Sequence, residues 1–238
     1  MSDTIFEVSE TSLSGLEVFS GLGMKERNEA AKLFRGKYYE INQQIVSHLD
    51  NSNEVFFIIN GVVRITTYSI GGKETTFRDM TAGQMFGELS AIDGMPRSAH
   101  AIALTFCEII SIPANSFWKL LEKYPGVSKK TLKYLTKLIR LLSDRIVEFS
   151  TLDVKSRIHA EVLRLARNGN QIDGLVNISP VPTHSSLASR LGTHREAVTR
   201  ELGVLTRKGI IIKKSNSYIA IDIDKLQQII DVASDVPK

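Results

Sequence analysis

The chain has 238 residues, 42% of them hydrophobic, which exceeds one modal domain at an ordinary globular composition and sets two domains as the expectation. No apolar run approaches the roughly eighteen residues of a membrane span, the acidic start (Asp3, Glu7, Glu10) lacks the blocks of a signal peptide, and the single cysteine, Cys107, excludes an internal disulfide or a cysteine-held cluster, so a cytoplasmic protein without a membrane partner is expected. The formal charge of +4 lies wholly in the C-terminal part: residues 1–152 carry 17 basic and 17 acidic side chains, residues 153–238 carry 13 and 9, and Thr183–Lys214 alone carries 7 against 2, a footprint suited to a polyanion.

Residues up to about Gly36 read as helical, with Ala30, Ala31, Leu33 and Phe34 on the apolar side of a short helix. Beyond Tyr38 short apolar runs recur: Ile45–Leu49, Val55–Ile59, Val62–Tyr68, Thr75–Met80 and Ala101–Ile112, the last holding Cys107 as a packed residue. Asn60-Gly61, between two of these runs, carries a strong hairpin signal because both residues tolerate positive φ. Many short strands with regular turns predict a closed or sandwiched antiparallel sheet.

Within that sheet lies Phe86-Gly87-Glu88-Leu89, followed by the turn-rich Asp93-Gly94-Met95-Pro96 and then Arg97-Ser98-Ala99. A carboxylate at Glu88 can accept from a ribose hydroxyl, while the Arg97 guanidinium and the Ser98 hydroxyl offer donors to a phosphodiester. Gly87 permits close approach of backbone and ligand, and the turn residues let Glu88 and Arg97 fold toward one pocket. The string resembles the phosphate-binding cassette of cyclic-nucleotide-binding domains. That resemblance implies an antiparallel β jelly-roll that binds cyclic AMP or cyclic GMP through Phe86, Gly87, Glu88, Leu89, Arg97, Ser98 and Ala99. One departure stands out: where the family usually has Gly-Asp, this chain has Leu49-Asp50, so the local turn is open to change. A hydrolase using Glu88 and Asp93 lacks the metal-ligand set or the nucleophile and base it would need.

From about Ser116 the period becomes helical, and one long segment follows Pro125-Gly126 to Leu152. Leu132, Leu135, Ile139, Leu142, Ile146 and Phe149 form a heptad seam, with Leu, Ile, Ile at a and Leu, Leu, Phe at d, a pattern that favours two parallel strands. The seam therefore predicts a homodimer, and the same stripe docked on its own barrel is the competing reading.

Asp153 can cap a new helix bearing Ile158, Val162 and Leu165 and ending at Asn168-Gly169. A small strand over Leu175–Ile178 and the breaks Pro180 and Pro182 follow. Thr183 can cap one helix with Leu187, Ala188 and Leu191 inward, Gly192 can make a turn, and Thr193-x-x-Glu196 reads as a capping box opening a second helix that packs Val198, Leu202 and Leu205. Arg195, Glu196 and Arg200 are left outward, near the N-terminal end of that helix, where base edges can be reached. Gly209–Ile221 reads as two strands around Lys214-Ser215-Asn216-Ser217, a wing. His184 and His194 are surface or phosphate-contacting residues, no second His or Cys at ligand spacing supports a metal, and His159 is an ordinary helix residue.

This half resembles the winged helix-turn-helix of the Crp/Fnr superfamily of transcription regulators, and Arg195-Glu196-x-x-x-Arg200 is similar to the DNA-reading string of its catabolite-activator branch. The resemblance covers nearly the whole chain. It implies an α+β protein with a β-roll domain (residues 1–125), a dimerisation helix and hinge (126–152) and a DNA-binding domain (153–238). It also implies base contacts from Arg195, Glu196 and Arg200 to double-stranded DNA, backbone contacts near Thr183, Ser185, Thr193 and His194, RNA polymerase among the partners, and no enzymatic activity or cofactor beyond the allosteric nucleotide. In that branch a Thr-Ser pair on the long helix reads the adenine. The matching pair here is Leu142-Ser143, which lacks half of the polar apparatus and leaves cyclic GMP open beside cyclic AMP. A regulator of the same superfamily that is ligand-independent or senses another effector is the alternative.

Overall fold

The run Val55-Phe56-Phe57-Ile58 is buried at every position, which a strand permits only when both of its faces are covered. In a computed structural model describing residues 4–72, 74–167, 169–172, 175–178, 181–215 and 218–233, this run is part of β4 (Val55–Asn60), an inner strand of a five-stranded sheet. That sheet orders β1 (Ile5–Phe6), β2 (Arg35–Tyr39), β9 (Cys107–Ile112), β4 and β7 (Met85–Phe86), and every pairing is antiparallel. A second antiparallel sheet orders β3 (Gln44–Val46), β8 (His100–Ala103), β5 (Val62–Tyr68) and β6 (Glu74–Thr81).

One core lies between the sheets, with Phe56, Ile58, Cys107 and Ile109 from the first meeting Val63, Met80, Ala101 and Ala103 from the second. On the other face of the first sheet, Val55, Phe57, Ile110 and Ile112 pack against Leu13 of α1 (Glu10–Ser14), Ala30 and Ala31 of α2 (Met24–Ala31), Phe117 and Leu120 of α4 (Ala114–Lys123) and Val127 of α5 (Pro125–Thr151). Period 2 sends alternate residues of β4 into these two cores.

The chain divides into two compact units, residues 1–139 and 140–238. In the second, β10 (Asn170–Ile172), β11 (Leu175–Ile178), β13 (Tyr218–Ile221) and β12 (Ile211–Ser215) form an antiparallel sheet in that order. Its core gathers Ile158 and Val162 of α6 (Val154–Arg167), Leu187 and Leu191 of α7 (His184–Leu191), Val198 and Leu205 of α8 (Arg195–Arg207) and Leu226 of α9 (Ile223–Ala233). Among the described residues no helix is long and apolar enough to cross a membrane.

Several expectations change. The first 36 residues are not wholly helical, because β1 and the start of β2 pair at Phe6 and Gly36. Ala101–Ile112 is two strands, one in each sheet. Asn60-Gly61 is not a hairpin turn: β4 and β5 belong to different sheets, and the turn carries the chain from one to the other. Glycine is needed there, since Gly61 has φ +98 and a Cβ would come within 2.5 Å of the Phe106 carbonyl oxygen. Helix α8 starts at Arg195 with His194 as N-cap, so the capping box at Thr193 does not form. Thr193 instead donates its N–H to the Ala188 carbonyl in the turn at Gly192, which delays the helix start. Asn168, Pro180 and the wing tip Asn216-Ser217 lie outside the described residues.

Candidate ligand site and nucleic-acid interface

β7 delivers the chain to Gly87, which takes φ +78 before α3 (Glu88–Asp93). A Cβ at Gly87 would meet Arg97 Nη1 at 2.7 Å and the Glu54 carbonyl oxygen at 2.9 Å, so both backbone angle and space demand glycine. Glu88 and Arg97 are buried at 3% and 2% exposure. Burial pushes the Glu88 carboxyl above the ordinary range, opposed by its own backbone N–H and by Arg78 and Arg97. Arg97 stands over the Phe56 ring, 5.4 Å from the centroid, and Phe56 stacks on Phe86. Its nitrogens donate to Ser52 Oγ (3.0 Å), to the Gly87 carbonyl (2.8 Å) and to the Glu54 carbonyl (2.9 Å), and the Glu54 carboxylate lies 3.5 Å from Nη2. Beside them Tyr134 of α5 donates to the Met85 carbonyl and receives Arg78.

The backbone of Arg97 is fixed as firmly as its side chain. Leu49 donates its N–H to the Arg97 carbonyl and Arg97 donates to the Asp50 carbonyl, both at 2.9 Å. Leu49 holds φ +65 to do so, the left-handed geometry a glycine would adopt without strain. The turn that the substitution left open is thus present in glycine-like form. Leu89 and Ser98 are exposed and Ala99 is half-buried.

The seam of α5 is bare in the single chain: Leu132, Ile139 and Ile146 are each more than 60% exposed, with Leu142 and Phe149 also exposed and Leu135 half-buried. α5 docks on its own barrel through Val127, Thr131 and Tyr134 instead, so the competing reading of that stripe does not hold. Phe149 has a second engagement, 4.8 Å beneath the Arg157 guanidinium and against Gly192. Ser143 is exposed beside Leu142.

In the second unit Thr183 Oγ1 accepts the Ser186 N–H and caps α7, and Gly192 (φ +61) ends it. Arg195, Glu196, Thr199 and Arg200 are exposed on α8, as are Thr183, Ser185 and His194, while Val198 and Leu205 face the core. His184 Nδ1 meets Thr199 Oγ1 at 2.8 Å and so ties α7 to α8. Two buried polar ties escaped the sequence. His159, far from an ordinary helix residue, is 2% exposed with Nε2 at 2.7 Å from Glu201 Oε1 of α8. Glu161, also buried, accepts from Arg145, Arg164 and Arg190. Apart from Glu161–Arg164, three apart on α6, no spacing rule finds such pairs, because each partner reads alone as a surface charge. Among the described residues no cluster of His, Cys, Asp and Glu is placed to hold a metal.

The cyclic nucleotide-binding domain family matches residues 36–124 and the Crp-like helix-turn-helix domain family matches residues 156–229. The chain is 27% identical over 199 residues to the cyclic AMP receptor protein of Thermus thermophilus, covering 84% of this chain and 89% of that one. It is 29% identical over 176 residues to the global nitrogen regulator of Nostoc sp. (strain PCC 7120), covering 73% and 79%. A solved mutant of CooA from Carboxydothermus hydrogenoformans superposes with a TM-score of 0.78 at 20% identity, covering 95% of this chain and 98% of that one, a likeness of fold. With a nucleotide-binding roll and a helix-turn-helix in that order, this chain belongs to the Crp/Fnr superfamily of DNA-binding transcription regulators, which are not enzymes.

Proposed function

We propose that the chain is a cyclic-nucleotide-controlled regulator that binds an inverted-repeat operator as a homodimer, with cyclic AMP as the preferred effector. The observation that carries this reading is the buried pair Glu88 and Arg97, an acid and a fixed cation held in one cradle around Gly87. Glu88 serves a ribose hydroxyl, and Arg97 with Ser98 serves the cyclic phosphate. The relative named a cyclic AMP receptor protein supports the choice of ligand. Leu142 has no polar atom for the adenine, so Ser143 from the partner subunit is left to read the base, and cyclic GMP should bind within about ten- to a hundred-fold of cyclic AMP. The bare seam on α5 supports the homodimer. On α8, two guanidiniums suit guanine and one carboxylate suits a cytosine amino group, in keeping with TGTGA-like half-sites one helical turn apart.

Calorimetric titration with cyclic AMP and cyclic GMP, followed by selection from a random DNA pool with and without nucleotide, tests the reading. Saturable binding and a nucleotide-dependent palindrome are expected. A second reading has one observation in its favour: the Arg97 guanidinium already leans on Ser52, Gly87 and Glu54, as a brace of the roll would. A palindrome selected equally well in the absence of nucleotide, with no heat from either ligand, selects a regulator that is ligand-independent or answers to another effector.

A further inference from the structure

Arg97 is buried, and three of the five N–H groups of a guanidinium go here to neutral oxygens: the Ser52 hydroxyl and the carbonyls of Gly87 and Glu54. Among the described residues its charge meets one carboxylate within ion-pair reach, that of Glu54, at the long distance of 3.5 Å. Glu54 cannot leave as a whole, because its own carbonyl accepts from the same Nη2. Its side chain is another matter, being 42% exposed, and it can swing into solvent by rotation about its own bonds. The negative charges bearing on Arg97 are those of Glu54, Asp50 and Glu88, with Glu54 foremost.

We infer that Glu54 is the internal counter-ion of Arg97, standing where a ligand's anion must come, and that it sets how tightly the site takes a phosphate. The inference rests on the cyclic-nucleotide reading above and deepens it. A phosphodiester entering the cradle competes with the Glu54 carboxylate for the Arg97 charge, and it is repelled by that carboxylate until the side chain turns away. Binding therefore exchanges a long, half-wet ion pair for a short, charge-assisted one. Glu54 keeps Arg97 partly neutralised when no ligand is present and opposes every anion that arrives, which favours ligands able to hold on through the Glu88 side as well.

The test is titration of cyclic AMP into wild type, Glu54→Gln and Glu54→Ala, at low and at high salt. Both variants keep the carbonyl that Arg97 uses. Both should bind about three- to tenfold tighter at low salt, the span expected for removal of one like charge a few ångströms away, and the gain should narrow at high salt. Binding by the variants when wild type binds undetectably would support the inference most strongly. A gain seen with Gln and not with Ala overturns it, since the new amide would then be donating to the phosphate. Equal or weaker binding by both variants, with wild type binding, also overturns it and leaves the nucleotide reading standing. No binding by any of the three proteins removes the nucleotide reading itself, and this inference with it.

Discussion

Each unit buries charged side chains, and Arg97 in the first and Glu161 in the second are finished differently. In the second unit Glu161, at 2% exposure, is met by three guanidiniums, Arg145, Arg164 and Arg190, and Arg164 also reaches Glu148. Burial draws Arg145 below its ordinary pKa and Glu161 draws it back, and the buried anion has three cations of the protein itself as partners. In the first unit Arg97 is buried to the same degree, yet neutral oxygens take most of its donors, and of the carboxylates that bear on its charge Glu54 alone, among the described residues, comes within ion-pair reach, at 3.5 Å. A buried charge that is fully paired belongs to the architecture, whereas one that is hydrogen-bonded but electrically unfinished marks a place for something that comes and goes.

The contrast breaks most visibly at its structural end. Glu161→Ala leaves three guanidiniums around an empty centre and should cost about 3–5 kcal/mol, read as a lowered denaturation midpoint of the second unit with nucleotide affinity unchanged; a loss under ~1 kcal/mol would mean that the cluster is as weak as an exposed one. At the other end, Arg97→Ala should weaken cyclic AMP at least tenfold, the value of about 1.5–3 kcal/mol for hydrogen bonds to a charged group. It should also lower stability, because the carbonyls of Gly87 and Glu54 lose their donor. Unchanged affinity in a folded variant would sink the phosphate assignment.

The exposed charges of α8 belong to neither kind, and Arg195→Ala should leave stability alone while relaxing base preference at one position per half-site by about 1–3 kcal/mol, as measured by competition among operator variants. Glu88 sharpens the comparison through pH. Its carboxyl is held above the ordinary range by burial, so the protonated form is favoured in the fold; that contribution is fully present below the ordinary value of about 4.3 and is lost as pH rises through the folded-state value. Glu88→Gln cannot ionise, so its stability relative to wild type should grow with pH across that window, by about 1.4 kcal/mol per unit of displacement; denaturant unfolding at several pH values that gave a constant gap would falsify the displacement. The smallest effect is expected at Leu49, where glycine relieves a left-handed residue worth ~1–2 kcal/mol and loses ~0.5–1 kcal/mol to chain entropy. Leu49→Gly should therefore raise the thermal midpoint slightly, and a lower one would show that the leucine side chain contributes contacts of its own.

What could be read in advance was whatever is written locally. The cassette from Phe86 to Ala99, the helix-turn-helix with Gly192 at its bend, the cap at Asp153 and the heptads of α5 all depend on spacings of a few residues, and the architecture follows them. What failed depends on distant partners. Asn60-Gly61 has hairpin chemistry, yet β4 pairs with β9 and β7 while β5 pairs with β6 and β8, and no local signal names a strand's neighbour. Helix α9 did leave a trace, Ile223, Leu226, Ile229 and Ile230 at helical spacing, whereas β1 and β10 are too short to show a period. The ties His159–Glu201 and Glu161–Arg190 join residues 42 and 29 positions apart, beyond the reach of any spacing argument.

The place of β9 in the first sheet bears on how the chain is made. β9 lies between β2 and β4, and it is the last strand of the roll to be synthesised. Until it emerges, β2 and β4 each lack the strand that joins them edge to edge, and at ~5–20 residues per second the ribosome needs roughly 3–10 s to add the fifty or so residues between β4 and β9. For that interval Val55-Phe56-Phe57-Ile58-Ile59 is an uncharged segment of high strand propensity with its β9 edge open and only the two-residue β7 to pair its other edge, the kind that associates with copies of itself. Glu54 just before it and Asn60-Gly61 just after place a charge and a turn at its two ends, so the flanks that later serve the ligand cradle and the sheet crossing also guard the nascent strand.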